Sequence, residues 1–349
     1  MVTALRSKVF TALLSLSSAT GFANTVVDTP KAATIPALEK KSANCTIISK
    51  VPKISEGQWP DEAKKLVSQL IENISENNSS SLKKLFHSRL KITEDFGEKL
   101  YYSLKSRYKG RWNFSLFRVW SINNPDEFKT PILCHEDEVK ITPLFGYRNQ
   151  IGVWLQLMSS TELGRIFVVI VPTKGTWKVG AIHLQQWTYM GKDYAVWANK
   201  GLKAENRDLV KAHIYYDIAQ KMLFGGNLLE YPIKDKIIEQ QNKALSKTKW
   251  LTMATETFNL NDPVYIGTLL TDSGPGILIR FRVQEEINNE SFQKICVATG
   301  KKLISHNWLE HQSGGLRCDF ILPKESINKP GVLGSQYFSF QDIKSSKYH

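Results

Sequence analysis

The 349-residue chain lacks most of the short signatures that announce chemistry. It has no G-x-S-x-G nucleophile elbow, no phosphate-binding loop, no dinucleotide fingerprint and no paired C-x-x-C zinc motif. Those absences exclude the common local designs for acyl, phosphoryl and hydride transfer; a site assembled from distant residues stays open. Cysteine is scarce, at four residues: Cys45, Cys134, Cys296 and Cys318. None pairs with another at metal or redox spacing, so structural disulfides are favoured over metal or redox work. Three connectivities are open, and Cys45 with Cys134 plus Cys296 with Cys318 is preferred because each bridge then stays inside one expected domain.

Long apolar runs are missing as well. The longest near the start, Val9 to Leu16, follows Arg6 and Lys8 and precedes Gly21-Phe22-Ala23. It is shorter than the ~20 residues of a spanning helix. Residues 1–23 therefore read as a cleavable signal peptide, with no transmembrane segment left after cleavage. No cysteine near the cleavage point supports a lipid anchor. Acidic residues are outnumbered, 33 against 46 Lys and Arg, for a formal net charge of +13 that falls to +11 when Arg6 and Lys8 leave. In an exported protein that excess suits solubility, anionic envelope polymers, lipid headgroups or an acidic protein surface, and nucleic acid is not an expected partner. The expected location is the periplasm, with release from the cell as the alternative.

What the chain does contain is periodic. Residues 24–58 mix Thr, Ala, Pro and Lys and read as a flexible leader. After Trp59-Pro60, the residues Ala63, Leu66, Val67, Leu70, Ile71 and Ile74 define one face of a helix that begins with Asp61 and Glu62. "ENNSSS" breaks it and caps a second helix with Leu82, Leu85 and Phe86; a third carries Phe96, Leu100, Tyr101, Leu104 and Tyr108 and stops at Gly110. The period then changes. "RWNFSLFRVW" is aromatic and strand-like, and "EVKITPLF", "QIGVWLQLM", "RIFVVIVP" and "TWKVGAIHLQQW", joined by short turns, predict a four-stranded antiparallel meander.

These helices, the Asn-containing break, Tyr108-Lys109-Gly110 and the closing strand "TWKVGAIHLQ" resemble the nuclear transport factor two-like (cystatin-like cone) domains of exported bacterial proteins, over about residues 59–190. The resemblance implies an α+β fold of three helices on a curved antiparallel sheet. It specifies no activity, because the family spans isomerases, dehydratases, immunity partners and assembly modules. It also implies that a homodimer could form through the open sheet face, and that a ligand could sit between sheet and helices. Trp112, Phe114, Trp154 and Trp177 are the candidate lining residues of such a pocket. A catalytic member would need an inward base, for which His87, His135, Glu136 and His183 are the nearby candidates.

The facing of the last strand bears on this. A strict period of two sets His183 with Trp177 and Val179, yet Ile182 and Leu184 then fall on the opposite side. A bulge near Gly180-Ala181 reconciles the pattern, aligning Trp177, Val179, Ile182 and Leu184 inward and turning His183 away. "CHEDEV", residues 134–139, reads as a solvated acidic edge rather than a metal site. His306 and His311 of "HNWLEH" are five apart, about 140° around a helix, and cannot chelate from one face. No metal and no cofactor is expected.

Residues 191–249 form a helical segment, including an αα-hairpin whose Ala212, Tyr216 and Ala219 mark a packing seam. Residues 250–349 return to strands, "PVYIGTLLT", "GILIRFRVQ", "SFQKICVATGKKLI" and "GLRCDFIL", and read as a second, smaller α+β domain. Together these features predict an exported, non-catalytic binding or assembly protein of the bacterial envelope with a protein or envelope component as partner. The alternative is a small-molecule-binding enzyme of the same fold.

Overall fold

The computed structural model describes residues 45–50, 59–123, 131–134, 139–271, 273–284, 288–306, 314–327 and 331–345, with side chains of 45–50, 132–134 and 247–248 left aside. The expected signal peptide, most of the expected leader, His135, Glu136 and His311 lie outside these residues.

Three helices open the fold: α1 (Asp61–Ser75), α2 (Ser79–Leu85) and α3 (Phe96–Arg107). Asp61 and Glu62 sit in the positive first turn of α1, and Ala63, Leu66, Val67, Leu70 and Ile74 are its buried stripe. Asn77 adopts a left-handed φ of 55°, which stops α1. The Asn78 side chain then accepts from the Ser81 N–H at 3.1 Å and caps α2.

The helices cover one face of a five-stranded antiparallel sheet. Its strands are β1 (Cys45–Lys50), β2 (Asn113–Asn123), β5 (Asn149–Met158), β6 (Leu163–Thr173) and β7 (Thr176–Gln186), in the spatial order β1-β2-β5-β6-β7. Two expectations change here. Residues 45–50, expected within the flexible leader, are an edge strand paired with β2, as the β-branched Thr46-Ile47-Ile48 run favours. The segment "EVKITPLF" leaves the meander: β3 (Ile132–Cys134) and β4 (Val139–Ile141) join β8 (Leu229–Glu230) in a separate three-stranded sheet. The inward Val139 and Ile141 of β4 are completely buried, so burial, not pairing in the main sheet, satisfies them.

The bulge inferred at Gly180 is present. Val169 pairs with Ala181 while Ile170 pairs with Val179, leaving Gly180 as the extra residue. A Cβ there would lie 2.7 Å from Leu144 Cδ1, so a larger residue would have to displace the Leu144 side chain.

The second half begins with α4 (Tyr194–Ala204), α5 (Leu209–Met222), α6 (Pro232–Ala244) and α7 (Lys247–Thr257). Ala212, Tyr216 and Ala219 are buried, and Gly201 lets α4 approach the Tyr216 ring, where a Cβ would sit 2.9 Å from Cδ1. Next come β9 (Pro263–Thr271), β10 (Gly274–Arg282), α8 (Asn289–Ser305), β11 (Gly315–Ile321), β12 (Val332–Ser339) and the short α9 (Phe340–Lys344). Their sheet order is β12-β11-β10-β9, with β10 and β11 parallel and α8 as the crossover between them. The segment around Cys296, expected as strand, is this crossover helix. Asn288 caps it through the Ser291 N–H, and Phe292, Cys296, Val297, Thr299, Gly300 and Leu303 are buried at helical spacing. Cys296 and Cys318 form a disulfide that ties α8 to β11, with Cα atoms 5.8 Å apart. Cys45 and Cys134 fall on β1 and β3, two strands in contact. The protein is thus mixed α+β throughout, and among the described residues no helix is long and apolar enough to cross a membrane.

Two apolar clusters organise the packing. One lies between α1–α3 and the sheet and includes Leu70, Leu100, Val153, Val168 and Val179. The other starts on the opposite sheet face with Trp120, Trp154 and Phe167 and continues through α4, α5 and α6 to Ile277, Cys318 and Phe320 of the second sheet. The sheet face expected to be open for a homodimer is therefore covered: Trp120, Trp154 and Phe167 are 0–1% exposed.

Candidate functional site

The four rings expected to line one pocket are divided by the sheet. Trp112, Phe114 and Trp177 pack at the margin of the helix-facing cluster, whereas Trp154 lies in the other cluster. The reason is register: a second bulge, at Phe117, separates Leu116, paired with Leu155, from Arg118, paired with Trp154. Trp154 consequently shares a face with Trp120. Trp112 and Trp177 are also at opposite ends of the sheet, since Asn113 pairs with Met158 and Trp177 with Pro172. Trp112 is held locally by its indole N–H, which donates to Tyr108 O at 2.6 Å, and by contact with Tyr101 and Phe114.

The histidines take structural partners. Two backbone groups engage His87: its Nδ1 accepts the Arg89 N–H at 3.1 Å, and its own N–H donates to Val179 O. With Nδ1 accepting, the neutral ring carries its proton on Nε2, which donates to Tyr147 Oη at 3.1 Å. His183 points away from the three helices, toward the loop after α5. Its Nε2–H donates to Phe224 O at 3.0 Å, the ring lies against Phe224, and burial pulls its pKa down. His183 thus pins that loop to the sheet as a neutral imidazole.

A polar cluster that no motif announced sits at the end of the sheet where β6 begins and β7 stops. Glu162 precedes β6, and its carboxylate accepts from Thr188 Oγ1 and from the Gly191 N–H at 3.2 Å. Thr188 Oγ1 in turn accepts the Leu163 N–H at 2.7 Å, so both strand ends are tied. Burial holds the Glu162 carboxyl above the usual range, opposed by those hydrogen bonds and by the nearby Arg107 charge. Tyr108, buried under Gly164, has its phenol pushed up to about 12 by burial. Ser103, Arg107, Tyr108, Arg165 and Leu184 border a cleft with room for about one water molecule. On the other face the Arg165 guanidinium lies 3.2 Å from the Trp187 ring centroid, 4.4 Å from Phe117 and 4.5 Å from Trp154. Such stacking is worth about 1–2 kcal/mol where water is excluded. The cluster can orient a carboxyl group and share a proton; it has no volume for a substrate.

Gly164 is the position that decides this cluster. A Cβ there would lie 2.4 Å from Tyr108 Oη. Gly164→Ala is therefore expected to expel the Tyr108 ring and cost about 2 kcal/mol, measured by urea denaturation. A Tyr108→Phe background, which removes the clashing oxygen, should recover part of that loss.

A second ionisable group lies where α5, α7 and β9 meet. The Asp217 carboxylate accepts from Lys221 Nζ and from the Thr268 N–H and hydroxyl, fastening α5 to β9. One turn earlier, the His213 ring stacks on Trp250 with centroids 3.9 Å apart and planes within 8°. Burial brings the His213 pKa down to about 4, against an opposing pull from Asp217. The unfolded chain, with an ordinary histidine near 6.5, takes its proton first, so this group's contribution to stability is full above about pH 6.5 and is lost as pH falls toward 4. Wild type should lose about 2 kcal/mol more than His213→Phe between pH 7 and pH 4.5. Urea titrations of both proteins at the two pH values check this.

No protein-family model matches the chain, and no curated protein matches it. Among solved structures the chain is similar to Bdellovibrio bacteriovorus Bd1075, at 8% identity and a TM-score of 0.24, over 37% of this chain and 40% of that one. A likeness of that degree fixes neither fold family nor activity.

Proposed function

We propose that the protein is an exported binding or assembly protein of the bacterial envelope, periplasmic or secreted, built on a nuclear transport factor two-like domain and presenting surfaces rather than performing chemistry. What supports this reading is how the candidate bases are used. The His87 ring engages the Arg89 N–H and the Tyr147 hydroxyl, and the His183 ring holds the loop after α5 to the sheet. The space between the helices and the sheet is filled by fully buried aliphatic side chains such as Leu70, Leu100, Val153 and Val168. Exposed apolar residues, Tyr102 and Phe145 among them, supply surface for contacts. The excess of basic residues suits an anionic partner in the envelope.

The test is photocrosslinking in the native envelope from positions 102 and 145. A discrete adduct from either position agrees with a binding role. The second reading, a small-molecule-binding enzyme, has one observation in its favour: the buried Glu162 with its raised pKa beside Arg107 and Tyr108. Turnover of a small-molecule library that disappears in Glu162→Gln, with the melting temperature retained, would establish that reading and overturn the first.

A further inference from the structure

The second sheet ends in a strand that natural proteins ordinarily protect. β12, "VLGSQYFS", is at the edge of the order β12-β11-β10-β9, and among the described residues no strand pairs with its outer side. It contains no charged residue and no proline, the usual devices that keep an edge from pairing. The opposite edge differs: β9 begins with Pro263 and is packed against by α5 and α7. On β12 three large apolar side chains face outward, Val332 at 41%, Leu333 at 43% and Tyr337 at 50% exposure.

The arrangement of these residues is symmetric. Around Ser335, Gly334 is balanced by Gln336, Leu333 by Tyr337 and Val332 by Phe338, so the apolar pattern reads alike in both directions. The backbone has the matching parity. The Phe340 N–H donates to Gly314 O at 2.9 Å, and the antiparallel register runs back from there through Leu316–Phe338, Cys318–Gln336 and Phe320–Gly334. Hydrogen-bonding direction alternates along an antiparallel strand, so Phe338, Gln336 and Gly334 turn toward β11 while Tyr337 and Ser335 turn their backbone groups to the outer side. The register shift beside Val332 leaves Leu333 as an extra residue and turns it outward too. The strand is firmly seated: the Ser335 hydroxyl donates to the buried Asp319 carboxylate at 2.9 Å, and the Tyr337 ring lies across Gly315, its Oη 2.5 Å from where a Cβ would be.

We propose that β12 is a homodimerisation edge, pairing antiparallel with β12 of a second copy about a two-fold axis at Ser335 and joining the two four-stranded sheets into one. A centre at Ser335 brings outward backbone groups opposite one another, Ser335 to Ser335 and Leu333 to Tyr337, and it places an aliphatic side chain against an aromatic ring twice. An isologous contact needs that self-complementarity, and a strand of a different protein does not. The contact is small, so the dimer is a weak one that forms in the micromolar range.

Sedimentation equilibrium of the mature full-length protein over a range of micromolar concentrations tests this. Wild type should pass from monomer to dimer. Leu333→Glu and Tyr337→Lys should each weaken association about tenfold. The double variant Leu333→Glu/Tyr337→Lys should recover it, because each new acid then faces a new base across the axis. Thermal melts of the Leu333→Glu protein should match wild type, since the side chain is at the surface. A monomer at every concentration, which leaves the edge to a strand from another protein, overturns the proposal. So does a dimer indifferent to both single substitutions, or a double variant weaker than either single one.

Discussion

Replacing Trp154 by alanine lowers unfolding stability by about 3–5 kcal/mol, among the largest single-residue losses in this fold. The indole is 1% exposed and is ringed by Trp120, Phe167, Phe117, Trp187 and Tyr231 at centroid distances of 5.3–6.4 Å. Removing it opens a cavity between the sheet and α6 that these large rings cannot close, and it takes one stacking surface from Arg165. Trp154→Phe should cost far less, about 1 kcal/mol, because the indole N–H has no hydrogen-bond partner among the described residues to lose. Urea denaturation of the two variants separates a packing role from a ligand-binding one. If Trp154 were the wall of an empty pocket, its truncation would leave stability nearly unchanged.

Breaking the Cys296–Cys318 bridge has the next largest effect. The loop it closes spans a sequence separation of 22, for which the loss of constraint on the unfolded chain amounts to about 3 kcal/mol. Both sulfurs are completely buried, between α8 and the sheet, so a Cys296→Ala/Cys318→Ala protein also loses some packing. The expected result is a denaturation midpoint shifted by at least that amount. Reductant should act on the wild-type protein only after partial unfolding exposes the bridge.

How much of this was readable from the residues alone depended on whether one face or two were being buried. The helix stripes of α1 to α3 were legible because each pairs a single apolar face with polar residues opposite. The Gly180 bulge was legible for the same reason, since the facing of Ile182 and Leu184 conflicts with that of Trp177 and Val179 unless one residue is extra. The side that Trp154 faces is not given by its local spacing, because both faces of this sheet are core. The signal for two core faces is present: "RIFVVIV" has no alternation, and uninterrupted apolar strands are those covered on both sides. The covering elements are α4 to α6, remote in sequence, so nothing local specified them. The same remoteness hid the Glu162 cluster, whose members come from α3, the start of β6 and the residues after β7. The α8 segment is ambiguous locally because Ile295, Cys296 and Val297 suit either state; its Asn288 cap and buried positions at 292, 296, 299 and 303 decide for helix.

The account turns on the second face of the five-stranded sheet being sealed as core by the carboxy-terminal half, which leaves the surface and the β12 edge for contacts. Native-state hydrogen exchange under increasing urea measures this directly, comparing the amides of β6 with those of β10. A continuous core predicts that both strands open together with one common free energy. Protection of β6 that persists after β10 has fully exchanged would mean that the sheet does not depend on its cover, and would contradict the account.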